Sequence, residues 1–253
     1  MSNDAPPTEL DRSILPHGYA TTTRTVHGRS IECFERGPGT MAAYFGTVPR
    51  NALDATFLVF EGERLTFRDV AREAAAFGHE LRTTYGCELG DRVSISMRNF
   101  PEWAIALHGA AAAGLVAVPL NSWWTEKEMT YGLKDSGSTV LVCDDERLVR
   151  ALPSLGKLGC HAVLVRAAVP AGAKGVEAWG QLMARGRGKR MPVAGEGFNG
   201  GVGTDDIAMI MYTSGTTGNP KVTMLLLLVL LLLVLLLMLT RSRSRVWCSR
   251  TAA

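Results

Sequence analysis

The chain has little of what marks several broad classes of protein. Its five cysteines, Cys33, Cys87, Cys143, Cys160 and Cys248, are odd in number, far apart and without a C-x-x-C pair. That pattern excludes a disulfide framework, gives no zinc-ligand spacing, and suits reduced, mostly buried thiols in a cytosolic setting. Net charge is only +3, and Arg241, Arg243, Arg245 and Arg250 all fall near the C-terminal end. So small a surplus leaves no electrostatic footprint for nucleic acid as a partner. The opening residues, MSNDAPPTELDRS, are polar and proline-containing, so a cleaved secretory signal is not expected. No Ser–His–Asp or Cys–His set can be assembled for nucleophilic catalysis. His79 and His108 fall on expected helices without Asp or Cys partners at ligand spacing, which suits surface or core histidines better than metal ligands.

What the sequence does have is a regular alternation of apolar runs and amphipathic stretches. At 253 residues it is long enough for one large or two small domains with a sizeable core. Residues 1–38 carry no sustained periodicity and read as an extended lead-in, followed by a short helix at 41–47 that ends before Pro49. Phe57–Phe60 and Arg64–Leu65 flank Glu61-Gly62-Glu63 as a small hairpin. Thr66, with Asp69 three residues on, opens a helix whose Val70, Ala74, Phe77 and Leu81 share one face.

Strands are then expected at Val93–Met97, Val116–Leu120, Thr139–Cys143, Ala162–Val165 and Ile207–Tyr212. Between them come a helix entered through an Asn99 cap with Pro101 and Glu102 behind it, and one capped by Thr125 and Glu128. Two more are expected over Asp145–Leu152 and Val176–Ala184. The small-residue stretch Gly109–Ala113 lets its helix lie close against either a sheet or a second helix. Such alternation gives an α/β fold, a doubly wound and mostly parallel sheet, with ligands beyond the carboxyl ends of the strands.

Gly186–Gly203 reads as a linker, and the basic cluster Arg185, Arg187, Lys189 and Arg190 fits a solvated loop better than an anion patch. Asp144, Asp145 and Glu146 stand at a strand–helix junction, where carboxylates cap a helix as readily as they bind metal. Trp123 and Trp124 suit packing beside a strand end, or the lining of an apolar pocket.

The most informative stretch is IAMIMYTSGTTGNPK, Ile207–Lys221. A buried strand runs directly into a loop in which Gly215 and Gly218 allow positive φ and close backbone approach, so that several N–H groups can face one anion. Thr213, Ser214, Thr216 and Thr217 add hydroxyl donors, and Lys221 adds a full positive charge. Serine, threonine and glycine also make ordinary turns. Here they combine with a buried strand and a terminal lysine, which is the donor set a polyphosphate needs. The spacing is not that of the Walker A loop, because Lys221 comes three residues after Gly218 and Val222 follows it.

The string YTSGTTGNPK resembles the signature of the AMP-forming adenylating enzymes, which include acyl-CoA synthetases, luciferases and the adenylation domains of peptide synthetases. Leu65–Val70, Gly90–Val93 and Asn99–Trp103 are similar, in order and spacing, to the opening of these synthetases. The run Gly114–Val142 resembles the segment ahead of the phosphate loop in fatty acyl-CoA and related acid–thiol ligases. The resemblance implies an incomplete N-terminal α/β domain over residues 39–221. It implies that a carboxylic acid, fatty or otherwise apolar, is activated with ATP and Mg2+ to an acyl-adenylate and then transferred to coenzyme A. It also implies that Thr213, Ser214, Gly215, Thr216, Thr217, Gly218 and Lys221 hold the ATP phosphates.

The family pattern breaks directly after Lys221. A synthetase continues with Gly-Val and, a few residues on, Thr/Ser-His. Here Val222 and Thr223 lead into sixteen residues, Met224–Leu239, of leucine, valine and methionine only, and then a basic tail over 241–253. The family's later elements have no counterpart: the adenine-binding segment, the acidic residue for Mg2+, the ribose aspartate, the hinge and the adenylating lysine. Positioning phosphates alone gives little rate, so no adenylate formation is expected of this chain by itself.

Read as a helix, 222–240 would span about 28 Å against a hydrocarbon core of about 30 Å, the length of a short transmembrane segment. The arginine-rich tail would then stay in the cytoplasm and the phosphate loop would face away from ATP. Two readings follow. One is the N-terminal part of an acid–thiol ligase whose low-complexity sequence beyond Val222 reflects a shifted frame or truncation. The other is a non-catalytic, membrane-anchored nucleotide-phosphate-binding module.

Overall fold

The computed structural model describes residues 21–34, 40, 48–189, 202–203, 205–213 and 221–226. Strands β1 (Thr21–Val26) and β2 (Arg29–Phe34) pair antiparallel as a ribbon within the stretch that the sequence reads as a featureless lead-in. His27 and Gly28 turn the chain with φ of 48° and 74°, the left-handed pair that matches the twist of two strands. The helix expected at 41–47 lies outside the described residues. Strands β3 (Thr56–Phe60) and β4 (Glu63–Thr66) form the expected hairpin. Helix α1 (Phe67–Thr83) opens with the expected capping box: Thr66 Oγ1 accepts the Asp69 N–H at 3.1 Å, and Asp69 Oδ2 accepts the Thr66 N–H at 3.0 Å.

The body is a sheet with helices on both faces. In chain order it contains β5 (Arg92–Ser96), α2 (Pro101–Ala112), β6 (Val116–Pro119), α3 (Glu126–Ser136), β7 (Val140–Cys143) and α4 (Asp145–Leu158). Then follow β8 (His161–Leu164), β9 (Val176–Ala178), α5 (Trp179–Gly186), β10 (Ile207–Thr213) and β11 (Lys221–Leu226). The strands lie in the order β11-β10-β6-β5-β7-β8-β9, all parallel except β11, which runs antiparallel to β10 along the edge.

Helices α1, α2 and α5 cover one face of this sheet, and α3 and α4 the other. Val140 and Val142 point into the first layer while Leu141 and Cys143 point into the second, which is why β7 reads as an unbroken apolar run. The small residues of α2 serve both sheet and helix contact. Ala106, Ala110 and Ala113 join the core beneath the helix, while Gly109 meets α1 so closely that a Cβ there would stand 2.7 Å from the Ala74 carbonyl oxygen.

Four further elements differ from expectation. Phe100, not Asn99, occupies the N-cap of α2, and no side chain caps it; Pro101 in the first turn has no N–H to satisfy. Helix α4 passes through Pro153 to Leu158, because Ala151 and Leu155 bury against the sheet on either side of the proline. The helix expected over Val176–Ala184 is strand for its first three residues. Val176 pairs with Ala162 and extends the sheet before α5 begins.

The leucine-rich segment, expected as a helix over 222–240, begins as β11 through Leu226. A run without polar residues has neither a 3.6 nor a 2 period to choose between the two, and the open edge of β10 supplies the partner. Residues 227–240 lie outside the described residues. Among those described, no helix is long and apolar enough to cross a membrane.

Candidate functional site

The sequence points to the loop after β10. Strands β10 and β11 are its two stems, with Met211 facing Thr223, Tyr212 facing Val222, and Thr213 facing Lys221 as the closing pair. Thr213 and Lys221 are therefore backbone neighbours at the carboxyl end of β10. The other five residues read as phosphate donors, Ser214, Gly215, Thr216, Thr217 and Gly218, lie outside the described residues. Because β10 is parallel to β6, β5, β7 and β8, this loop leaves the sheet at the edge where all of those strands also finish. That is the edge where parallel sheets take their ligands.

A doubly wound sheet opens its crevice where neighbouring strands send their crossovers to opposite faces, here between β5, followed by α2, and β7, followed by α4. In this chain protein fills that crevice. Asp144, 2% exposed, accepts the Arg147 N–H on Oδ1 at 3.1 Å and the Arg98 N–H on Oδ2 at 2.9 Å. Arg147, 1% exposed, donates Nη1 to Asp144 Oδ2 at 3.1 Å and to Glu146 Oε2 at 2.8 Å, and Nε to the Ser122 carbonyl at 2.8 Å. Arg98 pairs with the other carboxylate oxygen of Glu146 and holds its carboxyl below the usual range. Of the two sequence readings for the carboxylates, capping is what the geometry gives: Asp144 caps α4. Among the described residues no group of three or more His, Cys, Asp or Glu side chains is placed to hold a metal ion such as Mg2+.

The tryptophan pair divides. Trp124 is buried among Val118, Leu120, Met129 and Leu133, whereas Trp123 is 81% exposed, with the Arg147 guanidinium 5.9 Å from its ring centroid. Tyr212, one residue before the closing pair, sets its ring edge-on to Trp124, centroids 5.4 Å apart, and donates its O–H to Asp135 Oδ2 at 2.8 Å. Burial and the Asp135 carboxylate push the Tyr212 phenol well above its ordinary value. The sequence reading did not single out this pair. Its one trace is Gly132 in mid-helix, where a Cβ would stand 2.5 Å from the Trp124 ring.

Arg166 is a second grouping that sequence reasoning missed. It follows β8 with φ of 56°, pairs with both carboxylate oxygens of Glu63 at 2.8 and 3.0 Å and with Glu102 at 2.9 Å, and lies over Phe60 and Phe100. It ties the β3–β4 hairpin to the entrance of α2.

The remaining candidates are structural. The basic cluster is partly neutralised, since Arg185 pairs with Glu177 and Glu80, and Arg187 with Glu73. His108 is buried, and burial lowers its imidazole to about 4, so it is neutral near pH 7. Cys87, Cys143 and Cys160 are free and buried; burial raises all three thiols, that of Cys160 to about 12, which makes them poor nucleophiles.

Comparison with known proteins bears on the whole chain. The family described as "AMP-binding enzyme" matches residues 45–247, continuing past Lys221, where the sequence reading placed the end of the resemblance. A feruloyl-CoA synthase from Amycolatopsis sp. is 33% identical over 171 residues, covering 68% of this chain and 30% of that protein. A long-chain-fatty-acid–CoA ligase from Haemophilus influenzae is 35% identical over 98 residues, 39% of this chain and 17% of that one. Among solved structures, the anthranilate CoA ligase AuaEII in complex with anthranoyl-AMP superposes with a TM-score of 0.64 at 22% identity, over 74% of this chain and 34% of that one, a likeness of fold. The chain spans less than a third of the length of the feruloyl-CoA synthase it matches. It belongs to the AMP-binding enzyme family, that of the AMP-forming acid–CoA ligases, and corresponds to the N-terminal part of its members.

Proposed function

We propose that this chain supplies the nucleotide-phosphate cradle of an acid–CoA ligase, with Thr213, Ser214, Gly215, Thr216, Thr217, Gly218 and Lys221 as its donors. The observation that carries the reading is the closing pair Thr213–Lys221 at the carboxyl end of a strand flanked by a parallel sheet. A loop closed there would bring hydroxyls, amide N–H groups and a lysine together on one edge. The set has donors and a cation but no carboxylate, which fits a polyanion and fits a metal ion poorly.

In the whole protein, a carboxylate would attack the α-phosphorus of ATP held there, forming an acyl-adenylate as pyrophosphate leaves, and the thiol of coenzyme A would then displace AMP to give the thioester. The part played by these residues is to bind and orient the phosphates, with Lys221 offsetting their charge. The family relationship to ligases of feruloyl and long-chain fatty acids favours an apolar acid as substrate. Residues 39–221, extended by strand β11 to Leu226, would form the folded unit, in the cytoplasm, where its buried free thiols stay reduced.

The test is calorimetric titration of the full chain with ATP, beside Lys221→Ala. Loss of one charge-assisted phosphate contact should weaken binding about tenfold, or ~1.4 kcal/mol. Equal affinity of the two proteins would overturn the assignment.

A further inference from the structure

The phosphate loop needs a rigid stem, and the sheet does not provide one by itself. Strand β10 joins the parallel sheet through Met209, which is registered with Ala117 of β6. Continuing that register sets Met211 opposite Pro119, the last residue of β6, and Tyr212 beyond the strand's end. A proline has no N–H to give to a ladder. The stem of the loop thus overhangs the parallel sheet and is paired on one side, by β11.

We infer that Tyr212, through Asp135 and Trp124, is the positioning residue that fixes this overhanging stem to the body of the domain. Its hydroxyl donates to Asp135 Oδ2 at 2.8 Å and lies 3.4 Å from the Gly132 carbonyl, so one side chain reaches two residues of α3 across a sequence distance of 77 to 80 positions. Its ring meets Trp124 edge-on, and Trp124 is itself locked. The ring lies against Gly132, where no side chain larger than hydrogen fits, and its carbonyl accepts from Arg150 Nη1 at 3.0 Å. Residue 212 immediately precedes Thr213, so a shift at the tyrosine moves the closing pair directly. The anchor stands on this geometry alone; its consequence for phosphates rests on the function proposed above.

Two measurements on the full chain keep these apart. The first is amide hydrogen exchange without nucleotide, comparing wild type with Tyr212→Phe, which keeps the ring on Trp124 and removes the O–H, and with Asp135→Ala. Peptides covering Ile207–Thr213 and Lys221–Leu226 should exchange about three- to tenfold faster in each variant, the effect of losing one hydrogen bond, while peptides over β5 and β7 stay as they were. The double variant should be no faster than either single one, because both remove the same contact. Unchanged exchange in the stem, or an equal rise across the whole sheet, overturns the anchor.

The second measurement is affinity for inorganic triphosphate, which should fall by a similar factor in both variants. Wild-type protein that binds no triphosphate would count against the phosphate reading of the loop, and the exchange result would still decide the anchor.

Discussion

Replacing Asp144 by alanine probes the strand-end crevice most sharply, because one buried carboxylate holds three elements together. It caps α4 through the Arg147 N–H, accepts the Arg98 N–H from the chain after β5, and faces the Arg147 guanidinium at 3.1 Å. Loss of the cap alone is worth about 1 kcal/mol. Leaving a buried arginine without its partner adds more, with a range of about 3–5 kcal/mol for breaking a buried pair. Arg147 keeps Glu146 and the Ser122 carbonyl, which places the expected total near the lower end, about 3 kcal/mol.

Against a total stability of about 5–15 kcal/mol for a domain, that loss is large enough to read from the midpoint of a urea transition followed by far-ultraviolet circular dichroism. The double variant Asp144→Ala/Arg147→Met sharpens the reasoning. With both charges gone no buried ion lacks a partner, and it should recover about 1–2 kcal/mol relative to Asp144→Ala alone. A single variant within about 0.5 kcal/mol of wild type would refute the argument, and so would a double variant less stable than the single.

Buried His108 should make the fold sensitive to mild acid. Its folded-state imidazole lies near 4, below the ordinary value of 6.5, so the unfolded chain takes up a proton first as pH falls. Its effect is absent above about pH 6.5; between there and 4 it removes stability progressively, about 2 kcal/mol by pH 5, and His108→Gln should abolish that part of the slope in parallel urea titrations. Two glycine substitutions should have opposite signs. Gly109→Ala forces a Cβ to 2.7 Å from a backbone oxygen of α1 and 2.9 Å from Phe77, and should cost about 1–3 kcal/mol. Gly156→Ala in α4 meets nothing within 4 Å and should stabilise by about 0.5–1 kcal/mol, both read as shifts in thermal midpoint.

Much of the fold could be read from local chemistry. Thr66 with Asp69 and Thr125 with Glu128 signal their helix starts because a capping box is complete within four residues. The central strands are legible because burial on both faces demands continuous apolar runs, as in Val140–Cys143. Features settled by distant partners were not legible. Strand β9 is three residues that exist because β8 lies alongside them, and β11 is part of a leucine-rich run whose conformation follows from the open edge of β10.

The candidate site divides in the same way. The proposed donor set is written in one short stretch, between Thr213 and Lys221. The Tyr212–Asp135 contact beside it and the separate Arg166–Glu63 pair join residues 77 and 103 positions apart, and no local pattern announces them.

The central claim is that the loop between β10 and β11 binds phosphates rather than the nucleoside. Competition on the full chain tests it directly, with a fluorescent ATP analogue displaced in turn by inorganic triphosphate and by adenosine. The account predicts displacement by triphosphate and none by adenosine at equal concentration. Displacement by adenosine alone would contradict it.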